Sequence, residues 1–89
     1  MKKVVKIYKV VMEGKVLEEL RTKDWNVEDE ISLFAYYEEM NRLLEKAYSY
    51  VSGYTKAFFD MVNKYHIDLS VEMVNSLPTV QIEEVIINE

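Results

Sequence analysis

An unbroken apolar stripe with the period of an α-helix runs over residues 33–65, and it constrains the fold more than any other feature. Written as heptads, it fills about three-sevenths of the helix circumference, and only Lys64 interrupts it. A stripe this wide must be covered, either by the rest of the chain or by a second copy. Its members are Leu33, Tyr36, Tyr37, Met40, Leu43, Leu44, Ala47, Tyr50, Val51, Tyr54, Ala57, Phe58, Met61, Lys64 and Tyr65.

The predicted helix begins near Val27, because Asn26 is a suitable N-cap and acids fill the first turn. Earlier apolar residues, Ile31 and Phe34 among them, lie on a different side of the helix and indicate a second contact surface or a gentle bend. The stripe keeps its phase across Gly53, which favours one continuous helix to residue 65 over two helices that break there.

The predicted helix would be about 57 Å long, whereas strands of eight or nine residues reach only about 30 Å. We therefore expect that the sheet of one chain cannot cover the helix. The chain is predicted to be a homo-oligomer, at least a homodimer, that associates through this helix.

Strands are predicted on both sides of the helix. β-Branched and aromatic residues dominate residues 4–12, Glu13 and Gly14 signal a turn, and residues 16–22 fit a returning strand, so the chain opens with a β-hairpin. Alternation over residues 67–73 predicts a strand, with a short helix over residues 70–77 as the alternative. Residues 79–87 complete a C-terminal β-hairpin, and the acidic last strand is a favourable neighbour for the basic first strand.

These elements predict an α+β fold of β-β-α-β-β order, with a mixed or antiparallel sheet on one side of the helix. The 89 residues allow a single domain, 1–89. No cysteine is present, which excludes disulfides and thiolate sites, and no run approaches membrane-spanning length. We expect a cytoplasmic protein that does not bind a membrane. Its net charge of −5 and lack of a basic face argue against direct binding to nucleic acid.

The sequence predicts neither a catalytic residue nor a cofactor or metal site, and we interpret the protein as not an enzyme. Its two glycines, Gly14 and Gly53, stand apart and form no phosphate loop. The single histidine, His66, would share one face of a strand with Asp68 and Glu72, so a metal-dependent protein or enzyme that uses His66 remains an alternative. No motif identifies a family.

Tyrosines and acids of the helix are the candidate partner-binding residues. Tyrosine buries a large area at low entropic cost, which suits interfaces, although a core role explains it equally well. Residues 28–45 carry six acids and one base, a face that would attract a partner with a basic surface. The candidates are Tyr36, Tyr37, Glu38, Glu39, Glu45, Tyr50 and Tyr54.

The leading hypothesis is a small, acidic, self-associating regulatory protein that acts by binding another macromolecule. The alternative is an acidic inhibitor, of the kind that a virus or mobile element encodes, whose carboxylates imitate nucleic acid and block a basic site.

Overall fold

The computed structural model describes residues 2–88, which form one four-stranded antiparallel sheet, one long helix and one short helix. The predicted α+β class, the N-terminal hairpin and the long helix are confirmed. The elements in chain order are β1 (Lys2–Met12), β2 (Lys15–Arg21), β3 (Trp25–Asn26), α1 (Glu30–Tyr65), α2 (Val71–Asn75) and β4 (Thr79–Asn88).

β1 is the central strand, with β2 and β3 along one edge and β4 along the other. Glu13 and Gly14 both have positive φ, 53° and 78°, as a two-residue hairpin turn requires. The predicted neighbourhood of the basic first strand and the acidic last strand is confirmed. β1 and β4 are paired, and Lys9 Nζ lies 2.9 Å from Glu83 Oε1.

Helix α1 begins three residues later than predicted, at Glu30, since Asp29 is its N-cap and accepts hydrogen bonds from Ser32. Asn26, the predicted N-cap, lies in β3 and accepts a hydrogen bond from the Glu28 N–H instead. The helix ends at Tyr65, and its C-cap His66 adopts the left-handed conformation at φ 52°.

The favoured prediction that the helix continues through Gly53 is confirmed, because α1 spans Glu30–Tyr65 without interruption. Gly53 is exposed, and a Cβ placed on it would meet no atom within 4 Å. No close contact within the chain therefore requires a glycine at this position. The constant phase of the stripe was a better guide to a continuous helix than the low helix propensity of glycine.

The sheet covers the stripe from Tyr36 to Tyr54 and leaves its last part uncovered. Tyr8 and Val10 of β1 form the core with Leu43 and Ala47 of α1, and the half-buried stripe residues pack around it as far as Tyr54. Met61 and Tyr65, near the end of the helix, remain more than half exposed. The expectation that one sheet cannot cover the whole helix therefore applies to its last three turns and not to its centre.

The predicted C-terminal hairpin is wrong in its first strand. Residues 67–70 have no regular structure and α2 follows, as the alternative prediction of a short helix had it. Ser70 caps α2 by accepting a hydrogen bond from the Met73 N–H. Alternating side chains make a strand only where a neighbour supplies hydrogen bonds, and here β4 pairs with β1.

Candidate binding surface

The seven predicted partner-binding residues do not form one surface. Tyr36 is buried beneath α1, and Tyr50 and Tyr54 pack around the core, so these three tyrosines serve the fold. Tyr37, Glu38 and Glu45 point to solvent. Glu39 is half-buried and accepts two hydrogen bonds from the segment that precedes α1.

Glu39 links α1 to the loop and short strand before it through two hydrogen bonds. Its Oε2 accepts a hydrogen bond of 2.6 Å from the Trp25 indole N–H, and its Oε1 accepts one of 3.3 Å from the Lys23 N–H. Charge-assisted hydrogen bonds of this kind are the stronger ones in proteins. Glu39 is thus engaged within its own chain, and the predicted acidic face is smaller than the sequence indicated.

Two tyrosine hydroxyls of α1 differ in their hydrogen bonding. Tyr54 donates a 3.0 Å hydrogen bond to Glu18 on β2, which raises the pKa of Tyr54. The Tyr36 hydroxyl is buried without a hydrogen-bond partner among the described residues. Burial, followed by the nearby negative charge of Glu84, raises the pKa of Tyr36 from its usual value near 10 to about 12.

We expect Tyr36→Phe to raise the free energy of unfolding by about 1 kcal/mol, because it removes a buried hydroxyl that has no partner. Tyr54→Phe is the matched control and should lower it, because it breaks the bond to Glu18. Urea unfolding of both variants measures the two signs. A loss of stability in Tyr36→Phe would show that the hydroxyl bonds to Glu84, whose carboxylate contributes to the raised pKa of Tyr36.

The free energy of unfolding of Tyr36→Phe should also depend on pH differently from that of wild type. Because burial raises the pKa of Tyr36 in the folded state by disfavouring the ionised form, the contribution of Tyr36 to the free energy of unfolding is constant below pH 10 and falls as pH rises towards 12. Tyr36→Phe should therefore lose less stability than wild type over that interval.

A band of exposed apolar residues runs along the solvent side of α1, from the side opposite the core to Tyr37 at the rim of the stripe, and we call it the outer strip. Its apolar members are 81% (Ile31), 67% (Phe34), 51% (Tyr37) and 54% (Tyr48) exposed. Glu38 and Glu45 lie among them at helical spacing and are also exposed. We define the outer strip as Ile31, Phe34, Tyr37, Glu38, Glu45 and Tyr48.

The sequence contained part of this signal. Ile31 and Phe34 are out of phase with the stripe and were interpreted as a second surface or a bend, and the structure shows a surface. Tyr48 is not among the seven candidates from the sequence, although it is as exposed as Tyr37. The solvent side of a helix normally carries polar residues, so four large apolar side chains there are unusual.

The charge of the outer strip is negative. Among residues 2–88, neither Glu38 nor Glu45 forms a salt bridge, although Arg42 and Lys46 lie nearby along the helix. Both carboxylates are therefore exposed and have no ion-pair partner within the described residues.

The arrangement proposed for His66 does not form. His66 caps α1, while Glu72 lies in α2, so His66, Asp68 and Glu72 do not share the face of a strand. Within the described residues, no three histidine, cysteine or acidic side chains come together as metal ligands. The strand arrangement that the sequence suggested for His66 is therefore wrong.

A cleft of about 300 Å³ lies between the first half of α1 and strands β1 and β4. Lys6 and Glu84 face one another across the strand pairing, and Tyr36 and Ile86 contribute to the walls. The cleft is lined by both apolar and charged side chains. These side chains do not converge on a single point in the manner of a catalytic site.

Comparison with protein-family models, curated proteins and solved structures found no match for this chain. None of the helices within residues 2–88 has the length and apolar character needed to cross a bilayer.

Proposed function

We propose that this chain is a self-associating binding protein that acts on another protein through the outer strip and does not catalyse a reaction. The observation that carries this proposal is the exposure of Ile31, Phe34, Tyr37 and Tyr48 on a rigid helix face. Large aromatic side chains supply much of the binding energy at protein interfaces, and a helix presents them at low entropic cost.

The chemistry of the strip indicates the kind of partner. Glu38 and Glu45 flank the aromatic residues and form no salt bridge with the described part of the chain. A complementary surface would combine an apolar groove with lysine or arginine at its rim, a form of recognition in which a helix lies in a groove. Charge would then guide association while the aromatic residues provide affinity.

Self-association is supported by the dimensions of the chain. A compact domain of 89 residues has a radius of gyration of about 12 Å, whereas this chain measures 17.0 Å and extends over 56 × 20 × 16 Å. Its accessible surface is 6410 Å², which exceeds the surface of about 5,500 Å² expected for its mass by about 900 Å². That excess is close to the roughly 800 Å² that each partner contributes to a standard interface.

Cross-linking followed by mass spectrometry, in the cells that make the protein, tests the role of the outer strip. A double variant, Phe34→Ser with Tyr48→Ser, should lose the proteins that wild type captures. Tyr65→Ser is the matched control, because it removes an equally exposed aromatic residue at the far end of the helix. An unchanged set of captured proteins in the double variant would refute the proposal.

A second pair of substitutions tests the acidic inhibitor. Glu38→Gln with Glu45→Gln should weaken capture and reduce its dependence on salt, since both carboxylates are exposed. If this variant loses all binding while the aromatic variant keeps it, recognition depends on charge alone and the inhibitor hypothesis is favoured over the proposal.

A further inference from the structure

The two edges of the sheet differ in how well they are protected against pairing with another strand. β2 has seven residues, a register shift against β1 between Val10 and Val11, and several charged side chains, while β3 has only two residues. Short strands, bulges and charges are the devices by which proteins block an edge. The β2 and β3 edge is thus protected.

The opposite edge, β4, is neither short nor bulged, and Glu83 and Glu84 are its only charged side chains. It has ten residues that pair with β1 without a register shift, and it contains no lysine, arginine or proline. Alternate residues direct their backbone N–H and C=O groups away from β1, where no strand of the described chain lies. Its aliphatic side chains remain open to solvent: 51% for Ile82, 41% for Val85 and 51% for Ile86.

The two acids of β4 both lie close to lysines of β1, and one of them forms an ion pair. Glu83 forms a salt bridge of 2.9 Å with Lys9, and Glu84 lies opposite Lys6 in the pairing. Both cations belong to β1, so the negative charge of β4 is reduced from its inner side. Two β4 strands would therefore repel one another less than their sequence alone suggests.

We propose that β4 pairs antiparallel with β4 of a second copy, with Val85 at the twofold axis; this inference rests on the self-association proposed above. Residues opposite one another in an antiparallel pair share a face, so the axis of two identical strands passes through one residue position. An axis at Glu83 or Glu84 would place that carboxylate opposite itself. An axis at Val85 places Glu84 opposite Ile86.

The alternative axis at Ile82 also separates the carboxylates, but it would pair residues 79–85 and leave Ile86 and Ile87 outside the ladder. The axis at Val85 pairs residues 82–88 and covers the most apolar part of the strand. Pairing about Val85 therefore buries more of the exposed aliphatic surface.

The helices do not obstruct this pairing. The twofold axis is perpendicular to the sheet, so both copies of α1 lie on the same face. The two β1 strands would be separated by three strand spacings, about 14 Å, and a helix with its side chains is about 10 Å across. The outer strips lie on α1 and not on β4, so this pairing leaves them exposed.

Disulfide trapping tests the pairing in a chain that contains no cysteine of its own. Under mild oxidation, Val85→Cys should form a covalent dimer, because opposite Cα atoms in an antiparallel pair lie about 4.5–5.5 Å apart, a separation that a disulfide spans. Val16→Cys is the matched control, as an exposed valine on the protected edge, and should stay monomeric on a non-reducing gel. Equal cross-linking of both variants would overturn the proposal, and faster cross-linking of Ile82→Cys would overturn the register.

Light scattering then separates this inference from the self-association on which it rests. Val85→Lys should raise the dimer dissociation constant by about 100-fold, since it places two like charges opposite one another and removes apolar contact. Circular dichroism shows whether the variant is folded. Wild type that is monomeric at micromolar concentration would refute self-association itself. A dimer that Met61→Lys dissociates and Val85→Lys does not would refute only the β4 pairing.

Discussion

Replacing Leu43 by alanine is expected to lower the free energy of unfolding by about 3 kcal/mol, a large part of the stability of a domain this small. Leu43 is buried between α1 and β1, where it contacts the cluster of Tyr8, Val10 and Ala47. The truncation leaves a cavity that the rigid sheet cannot fill by relaxing. Urea denaturation followed by circular dichroism measures the change.

Phe34→Ala is the control for Leu43→Ala, because it removes a larger side chain from the same helix. Phe34 lies on the outer strip and is mostly exposed, so its truncation should change the free energy of unfolding by no more than about 0.5 kcal/mol. Equal effects of the two substitutions would show that the helix is rotated from the orientation described.

Thr22→Val should cost about 2 kcal/mol, although valine has nearly the same shape as threonine. Thr22 is buried, and its hydroxyl accepts a 2.9 Å hydrogen bond from the Lys6 N–H and donates one of 2.9 Å to the Lys23 carbonyl. The Thr22 hydroxyl therefore supplies the hydrogen-bond acceptor for the Lys6 N–H of β1, in the gap between the end of β2 and the start of β3. Valine would leave the Lys6 N–H unpaired.

Thr22→Ser keeps the hydroxyl and loses only a methyl group, so it should cost about 0.8 kcal/mol. Thermal unfolding of the two variants separates the hydrogen bond from the packing. If serine destabilises the protein as much as valine does, the methyl group and not the hydroxyl is what matters at this position.

Pairing through β4 would have a consequence for the proposed function. Both copies of α1 would lie on one face of a shared sheet, and each would present its outer strip on that side. A partner with two matching grooves, or two linked partners, would then bind with an effective concentration that one copy cannot provide. Weak contacts at single helices would thereby add up to stable binding.

The sequence was sufficient for elements whose cause is local. Glu13 and Gly14 set the hairpin turn because the turn needs positive φ at both positions. The continuous helix followed from a stripe that keeps one phase across Gly53. The strand order near the termini was also predictable in part, since lysines in β1 and glutamates in β4 favour one another.

The division of the candidate residues was not predictable from sequence. Tyr36 and Tyr37 are neighbours of the same type, yet one is buried and the other half exposed, because the sheet contacts only one side of the helix. Glu38 and Glu39 differ in the same way, since Trp25 reaches Glu39 from β3. The prediction of a first strand in the C-terminal hairpin was wrong for a related reason. Apolar and polar residues alternate over residues 67–70, but no strand of the described chain lies beside them.

The sequence by itself determined the period and continuity of the helix and the hairpin turn, because these depend on neighbours within a few residues along the chain. Only the tertiary structure decided how much of the stripe is covered, which side chains form the outer strip and which edge of the sheet stays open. Those features depend on contacts between distant segments, such as β1 with β4, where burial and backbone pairing are settled together.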